Sequence, residues 1–329
     1  MKTPELGGSV VPLLTPFDAQ GQLDSDSLRR LVDYVIQGGS KGLWLMGTTG
    51  EFAALEEVER AKAIEIAVEH AAGRVHVVAN VADASTERAL RHGARAAAAG
   101  VHALALTPPY YYPHSIGEIA DHFRRLKMSY PDMPLFAYNI PQTVKTVMDV
   151  RSVIDLAREG VIVGIKDSQN SLDWARRLHT GLKQAGLRDG FRILLGTRSL
   201  IDLAPLVGAD GSVPAISNLA PELCSLTHQL SADGQHGIAT LGQELLLDYE
   251  SLAQLAVGGS SQAATLGAMK HSLVDLGVLS SARVTGPLKE LSSSEVDAIR
   301  AQRISLEARA RELLPELRQS VSKATWPSS

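Results

Sequence analysis

Lys166 closes the run VIVGIKD (161–167), in which every residue before it is apolar or glycine. On a strand, Ile162, Gly164 and Lys166 share one face, and Val161, Val163 and Ile165 share the other. Both faces are otherwise apolar, as in a parallel strand covered on both sides. An ammonium ion placed there must be paired or give up its proton. A desolvated lysine holds free amine near neutrality, and a free amine attacks a ketone to form a Schiff base. The protonated imine is an electron sink, so carbon–carbon bonds beta to the original carbonyl can break or form. That chemistry also needs a proton shuttle and an anchor for the carboxylate of a 2-oxo acid. Tyr138, in the preceding apolar run PLFAYNI (134–140), could shuttle, and Thr48 and Thr49 of GTTGE (47–51) could hold the carboxylate beside a helix start.

Each feature also has a plainer reading. GTTGEF can be a glycine-bounded turn into a helix, TPPYYYP (107–113) a rigid aromatic loop, and Tyr138 a core tyrosine with a satisfied hydroxyl. Lys166 can snorkel out of the strand end or pair with Asp167. Together, the residues fit the amine chemistry better than any of them does alone.

The elements that position them recur at intervals of roughly thirty residues. Short apolar runs lie at 9–14, 42–47, 75–81, 102–107, 134–140, 161–167, 191–196 and 210–216. Between them stand amphipathic stretches with helix start and stop signals, such as SDSLRRLVDYVIQGG, LEEVERAKAIEIAVEHAAG and SIGEIADHFRRLKMSYPD. Eight alternations predict an α/β fold, a (β/α)8 TIM barrel, and its chemistry belongs at the C-terminal strand ends. An open doubly wound sheet would share the alternation, but TPFDAQGQLD follows the first strand where a nucleotide-binding glycine fingerprint would stand. The expected organisation is a catalytic barrel over 1–220 and a C-terminal helical extension over 221–329.

The chain has 329 residues, is 45% hydrophobic and carries a net charge of −4, enough apolar content for a large core and no basic surface for nucleic acid. No apolar run approaches the length of a membrane span, and MKTPELGGSVVPLLTPFD carries Pro, Glu and Gly where a signal peptide would need an apolar core, so a cytoplasmic protein is expected. Cys224 is the single cysteine, which excludes an intrachain disulfide and favours a small buried residue over a nucleophile. The histidines, His76, His102, His114 and His122 among them, lack metal-ligand spacing, so no metal is expected; Trp44 reads as barrel filling.

GTTGE, TPPYYYP, YNIP and GIKDS, in that order and at these intervals, resemble the dihydrodipicolinate synthase / N-acetylneuraminate lyase superfamily of class I aldolases. The likeness runs from VVPLLTPF to GADGSVPAISNLAP. It implies a barrel with a small helical C-terminal domain, a homo-oligomer (dimer or tetramer), pyruvate or a related 2-oxo acid as substrate, and no cofactor. It also implies roles: Lys166 the Schiff-base lysine, Tyr138 the proton relay, and Thr48 and Thr49 the carboxylate site supporting the relay. Tyr110 matches a tyrosine sent into the neighbouring subunit's site, and Gly196 and the backbone of Val213 match positions beside the lysine.

The departures bear on the substrate. Where dihydrodipicolinate synthases resemble YNVPSRTG, with an arginine that grips a substrate carboxylate, this chain has YNIPQTVK with Thr143 at the arginine's place. Threonine cannot supply a charged bidentate clamp; Lys145 lies two residues on. GTRS follows the seventh strand without the acidic residues that family members use for hydroxyl-rich chains, which weakens a sialic-acid assignment. PPYYYP is similar to 2-keto-3-deoxygluconate-type aldolases and PQTVK to aldolases of hydroxybenzylidene-pyruvates, so the second substrate is open. The leading expectation is a Schiff-base lyase or aldolase acting on pyruvate or a related 2-oxo acid, such as a 2-keto-3-deoxy sugar acid. The alternatives are 4-hydroxy-tetrahydrodipicolinate synthase with an altered carboxylate grip and a non-catalytic 2-oxo-acid-binding protein.

Overall fold

A computed structural model describes residues 5–324. Eight parallel strands close into a barrel in sequence order. They are β1 (Gly8–Pro12), β2 (Gly42–Leu45), β3 (His76–Asn80), β4 (Ala103–Leu106), β5 (Leu135–Asn139), β6 (Gly164–Asp167), β7 (Arg192–Leu195) and β8 (Gly211–Ser212). Seven fall inside their predicted runs, and β1 starts one residue before its own, at Gly8. The intervening helices are α1 (Ser25–Gln37), α2 (Glu57–Ala71), α3 (Thr86–Ala98), α4 (Ile116–Ser129), the short α5 (Pro141–Val144), α6 (Val150–Arg158) and α7 (Leu172–Gln184). After β8 come α8 (Pro221–Ala232), α9 (His236–Ser251), α10 (Ser261–Asp275) and α11 (Ser293–Ala324).

Short polar residues start the helices where the chain leaves the strand ends. Asp24, Ser85, Ser115, Asp149 and Ser171 each accept a backbone N–H from the first turn, and Ser115 with Glu118 forms a capping box. The outward faces of the strands pack on the helices through residues such as Leu43, Val77, Leu104, Ile165 and Ile193. The barrel interior is a second, separate core built around Val10, Trp44, Val78, Phe136, Tyr138 and Leu194. Large and small residues alternate across it. A Cβ on Gly164 would stand 2.3 Å from the Phe136 ring, so glycine at that point of β6 makes room for the aromatic ring on β5.

The short β8 is reinforced by a side chain. Asn218 accepts from Leu14 N–H at 3.0 Å and donates to Pro12 O at 2.9 Å, tying the segment after β8 to β1. Helix α8 packs on β1 and α1. It also packs on α9 and α11, and so joins the barrel to the helices that follow. Cys224 on α8 is buried. His76 and His102 meet edge to face at 5.2 Å, and His102 Nδ1 accepts from Val77 N–H, which makes both packing and capping residues. No helix among the described residues is long and apolar enough to cross a membrane, and among those residues no group of His, Cys, Asp or Glu is arranged as a metal site.

Candidate active site

The register of the barrel brings the key pair together. Tyr138 on β5 is the direct ladder partner of Lys166 on β6, so both side chains leave the sheet on the same, inward face. Lys166 is 3% exposed. Its Nζ lies 4.3 Å from the Tyr138 ring centroid and 5.0 Å from that of Trp44. No ion pair among the described residues reaches it. Asp167 points to the opposite face, where it accepts from Asn139 Nδ2 at 2.7 Å and Gln169 Nε2 at 3.0 Å. Lys166 therefore neither pairs with Asp167 nor snorkels to solvent. Burial lowers its pKa to about 7, so near neutrality half of it is free amine. Burial raises Asp167 to about 6 against the opposing pull of the Asn139 and Gln169 hydrogen bonds.

Trp44 does more than fill the barrel. Its ring packs edge to face on Tyr138 at 5.6 Å and gives the lysine an aromatic face. Tyr138 is 2% exposed, and its hydroxyl lies 3.4 Å from Thr48 Oγ1. Burial raises the phenol's pKa, while hydrogen bonds with Thr48 and Ser168 oppose the rise. A line of hydroxyls, Thr48, Tyr138 and Ser168, thus runs beside the amine. Ser168, the last residue of GIKDS, is a site residue for which the sequence alone implied no role. The signal was its spacing, two residues after Lys166 and so on the same strand face.

Gly196, at the end of β7, lies against this group. A Cβ there would stand 2.0 Å from Ser168 Oγ and 3.1 Å from Lys166 Cε. Val213, just past β8, is buried in the interior core and donates its N–H to Leu195 O at 2.7 Å. Thr49 is half-buried in the same turn as Thr48. Among the described residues no hydrogen bond engages its hydroxyl, whereas Thr48 joins the tyrosine directly.

The turn carrying both threonines is held in an unusual shape. Met46 and Glu51, which flank it, have φ of 55° and 58°, left-handed values that cost energy for non-glycine residues. Fixed partners hold them. Met46 O accepts from Asn80 Nδ2 at 2.7 Å, Gly50 O from Thr15 Oγ1 at 2.7 Å. Glu51, expected only as part of the turn motif, pairs with the buried Lys270 of α10 at 2.6 Å and accepts from Thr285 N–H and Oγ1 at 2.7 and 2.8 Å. Lys270 also donates to Arg283 O at 2.8 Å. The extension is thereby locked to the barrel mouth by residues 219 positions apart, a link without a local sequence signal.

Above Thr48 opens a cavity of about 410 Å³, walled by the β2 turn, the loops after β4 and β5, and Thr285–Leu288. Tyr110 and Thr143 both line it. Tyr110 packs edge to face on Phe52 at 6.2 Å, against its own barrel, while Tyr111 and Tyr112 of the same loop are exposed.

A buried amine, an in-register tyrosine and a threonine turn at the mouth of an eight-stranded barrel can be compared with known proteins. The Dihydrodipicolinate synthetase family matches residues 5–303. This chain belongs to that family. The 4-hydroxy-tetrahydrodipicolinate synthase of Methanothermobacter thermautotrophicus is 32% identical over 238 residues, covering 72% of this chain and 83% of that protein. The N-acetylneuraminate lyase of Citrobacter koseri is 34% identical over 218 residues, covering 65% and 70%. A prophage protein of the dihydrodipicolinic acid synthase family from E. coli, solved with pyruvate, superposes with a TM-score of 0.84 at 26% identity, covering 92% of this chain and 99% of that one. As a member of the dihydrodipicolinate synthetase family, the chain is an aldolase-type lyase. Thr143 Oγ1 donates to Ile140 O at 3.1 Å, Lys145 Nζ donates to Gln142 O at 2.9 Å, and Arg198 pairs with Glu250 at 3.5 Å. Neither Lys145 nor Arg198 lines the cavity.

Proposed function

We propose that the protein is a Schiff-base lyase that cleaves or forms a carbon–carbon bond next to a pyruvyl unit. The observation that carries this reading is Lys166: a buried amine with a pKa of about 7, in register with Tyr138. The free amine adds to the C2 ketone of a 2-oxo acid, and loss of water gives a protonated imine. In the cleavage direction, Tyr138 takes the proton of the C4 hydroxyl and the C3–C4 bond breaks. Its electron pair moves into the imine to give an enamine, and C4 departs as an aldehyde. Protonation at C3 and hydrolysis release pyruvate and free Lys166. Thr48 and Ser168, hydrogen-bonded to the phenol, pass protons to and from it. Thr49's free hydroxyl, with the backbone around it, serves the substrate carboxylate, and Gly196 and Val213 leave the pyruvyl methyl group its space. The lysine supplies the electron sink, so the mechanism uses no organic cofactor or metal. The active form is a homo-oligomer in this reading, with exposed Tyr111 and Tyr112 offering a second copy an apolar surface to cover.

The names of its relatives favour a second reading, 4-hydroxy-tetrahydrodipicolinate synthase. Condensation of pyruvate with aspartate semialdehyde, followed through a coupled reductase, separates the two. The experiment that tests the shared chemistry is intact mass after incubation with pyruvate and borohydride, followed by peptide mapping. One pyruvyl adduct on Lys166 is expected. An enzyme that turns over normally as Lys166→Ala would refute the mechanism.

A further inference from the structure

We propose that the cavity over Thr48 binds the aldehyde-derived end of the substrate and that this end is aromatic, with no second carboxylate and no polyol chain. The inference rests on the Schiff-base reading, because it takes Lys166 and Tyr138 as the point from which the substrate extends. Thr48 joins the two spaces: its hydroxyl reaches Tyr138 and it lines the cavity. Ile140, two residues beyond Tyr138, continues from the interior core into the cavity wall.

The chemistry of the wall decides the class. No lysine, arginine or histidine lines the cavity, so a carboxylate entering it would lose water and meet no cation. Its one acid, Glu51, is already bound by Lys270 and by both donors of Thr285. Three of the wall's threonine hydroxyl protons are also committed, leaving Thr48, Tyr110 and Gln262 as its groups able to donate. Thr107 donates to Pro108 O at 2.8 Å, Thr143 to Ile140 O at 3.1 Å and Thr285 to Glu51 at 2.8 Å. A chain of hydroxyl groups would exchange water for a surface with few donors to offer. What the cavity does present is carbon: Phe52, Tyr110, Ile140, Val144, Pro287 and Leu288. The edge-to-face pair of Phe52 and Tyr110 offers a third ring the offset contacts that aromatic groups prefer. About 410 Å³ lies within the range of small-molecule sites.

The reaction inferred is the reversible cleavage of a 4-aryl-4-hydroxy-2-oxobutanoate to pyruvate and an aryl aldehyde. The C3–C4 bond breaks, the C4 hydroxyl proton goes to Tyr138, and C3 gains a proton, so the atoms of the 2-oxo acid are shared between the two products with no oxidant or reductant. The test runs the condensation of pyruvate with benzaldehyde, aspartate semialdehyde and glyceraldehyde, with products quantified by mass spectrometry, after the pyruvyl adduct on Lys166 has been sought by borohydride reduction. Benzaldehyde is expected to give a kcat/KM at least about tenfold above the other two, the discrimination a single well-buried apolar group can give. Thr143→Arg, which sets a cation at the rim, is expected to shift the ratio at least about tenfold toward aspartate semialdehyde. An adduct on Lys166 with benzaldehyde no better than glyceraldehyde overturns the aromatic assignment and leaves the Schiff-base reading standing. Failure to form any adduct with the folded protein overturns both.

Discussion

Replacing Lys166 by methionine should abolish activity and stabilise the protein. The amine's pKa is about 7 in the fold against 10.5 in the unfolded chain. At about 1.4 kcal/mol per pH unit, that gap makes a fully charged Lys166 cost the fold roughly 5 kcal/mol. Between pH 7 and 10.5 the unfolded chain binds more protons than the folded one, so stability rises with pH across that window and the penalty is greatest below it. Integrated, the penalty is about 4 kcal/mol at pH 7 and about 2 kcal/mol at pH 9. Methionine fills nearly the same volume against Trp44 and Tyr138 and has no proton to bind. Urea unfolding of both proteins at pH 7, 8 and 9 measures the difference, and the other titrating groups cancel between them. The variant's advantage should shrink by about 2 kcal/mol from pH 7 to 9. An advantage that stays constant with pH, or a variant less stable than the parent at pH 7, would refute the reasoning that Lys166 is held neutral by burial.

Tyr138→Phe should keep the ring packed on Trp44 and the melting temperature near that of the parent, while kcat falls by about 100-fold or more because the relay has no hydroxyl. Gly196→Ala, which would drive a Cβ into Ser168 and Lys166, should lose about 1–3 kcal/mol of stability by overpacking and slow adduct formation with pyruvate. Glu51→Gln or Lys270→Met alone should lose about 3–5 kcal/mol by leaving one buried partner of the latch uncompensated. The double variant should lose less than the sum of the two, as a double-mutant cycle in urea would show.

Much of the barrel was legible because parallel strands buried on both faces read as apolar runs, and capping residues mark where the chain turns into helices. The least regular strand was the least well bounded: 210–216 contains only Gly211–Ser212 as β8, because Asn218 takes over part of the ladder's role with side-chain bonds. The pattern over Pro221–Ala232 marks a helix without saying which neighbours receive it, and its contacts are with β1 and α1 as well as with α9 and α11. Within the site, Lys166 stood out as a charge among apolar residues, and Tyr138 and Thr48 as polar residues at the C-terminal ends of other strands. Trp44 was read as filling, since an aromatic residue on a strand carries no sign that a lysine will lie over its face. The latch between Glu51 and Lys270 was invisible for another reason. Its partners are 219 residues apart, and nothing local in either segment requires the other.

The central claim is that burial makes Lys166 a nucleophile at neutral pH. Its most direct test is the rate of borohydride trapping with pyruvate as a function of pH, with the modified residue located by peptide mapping. Label is expected on Lys166 alone, with a trapping rate that rises through a midpoint near 7, where the amine loses its proton. Label on a different lysine, or a rate still climbing toward the ordinary lysine value of 10.5, would contradict it.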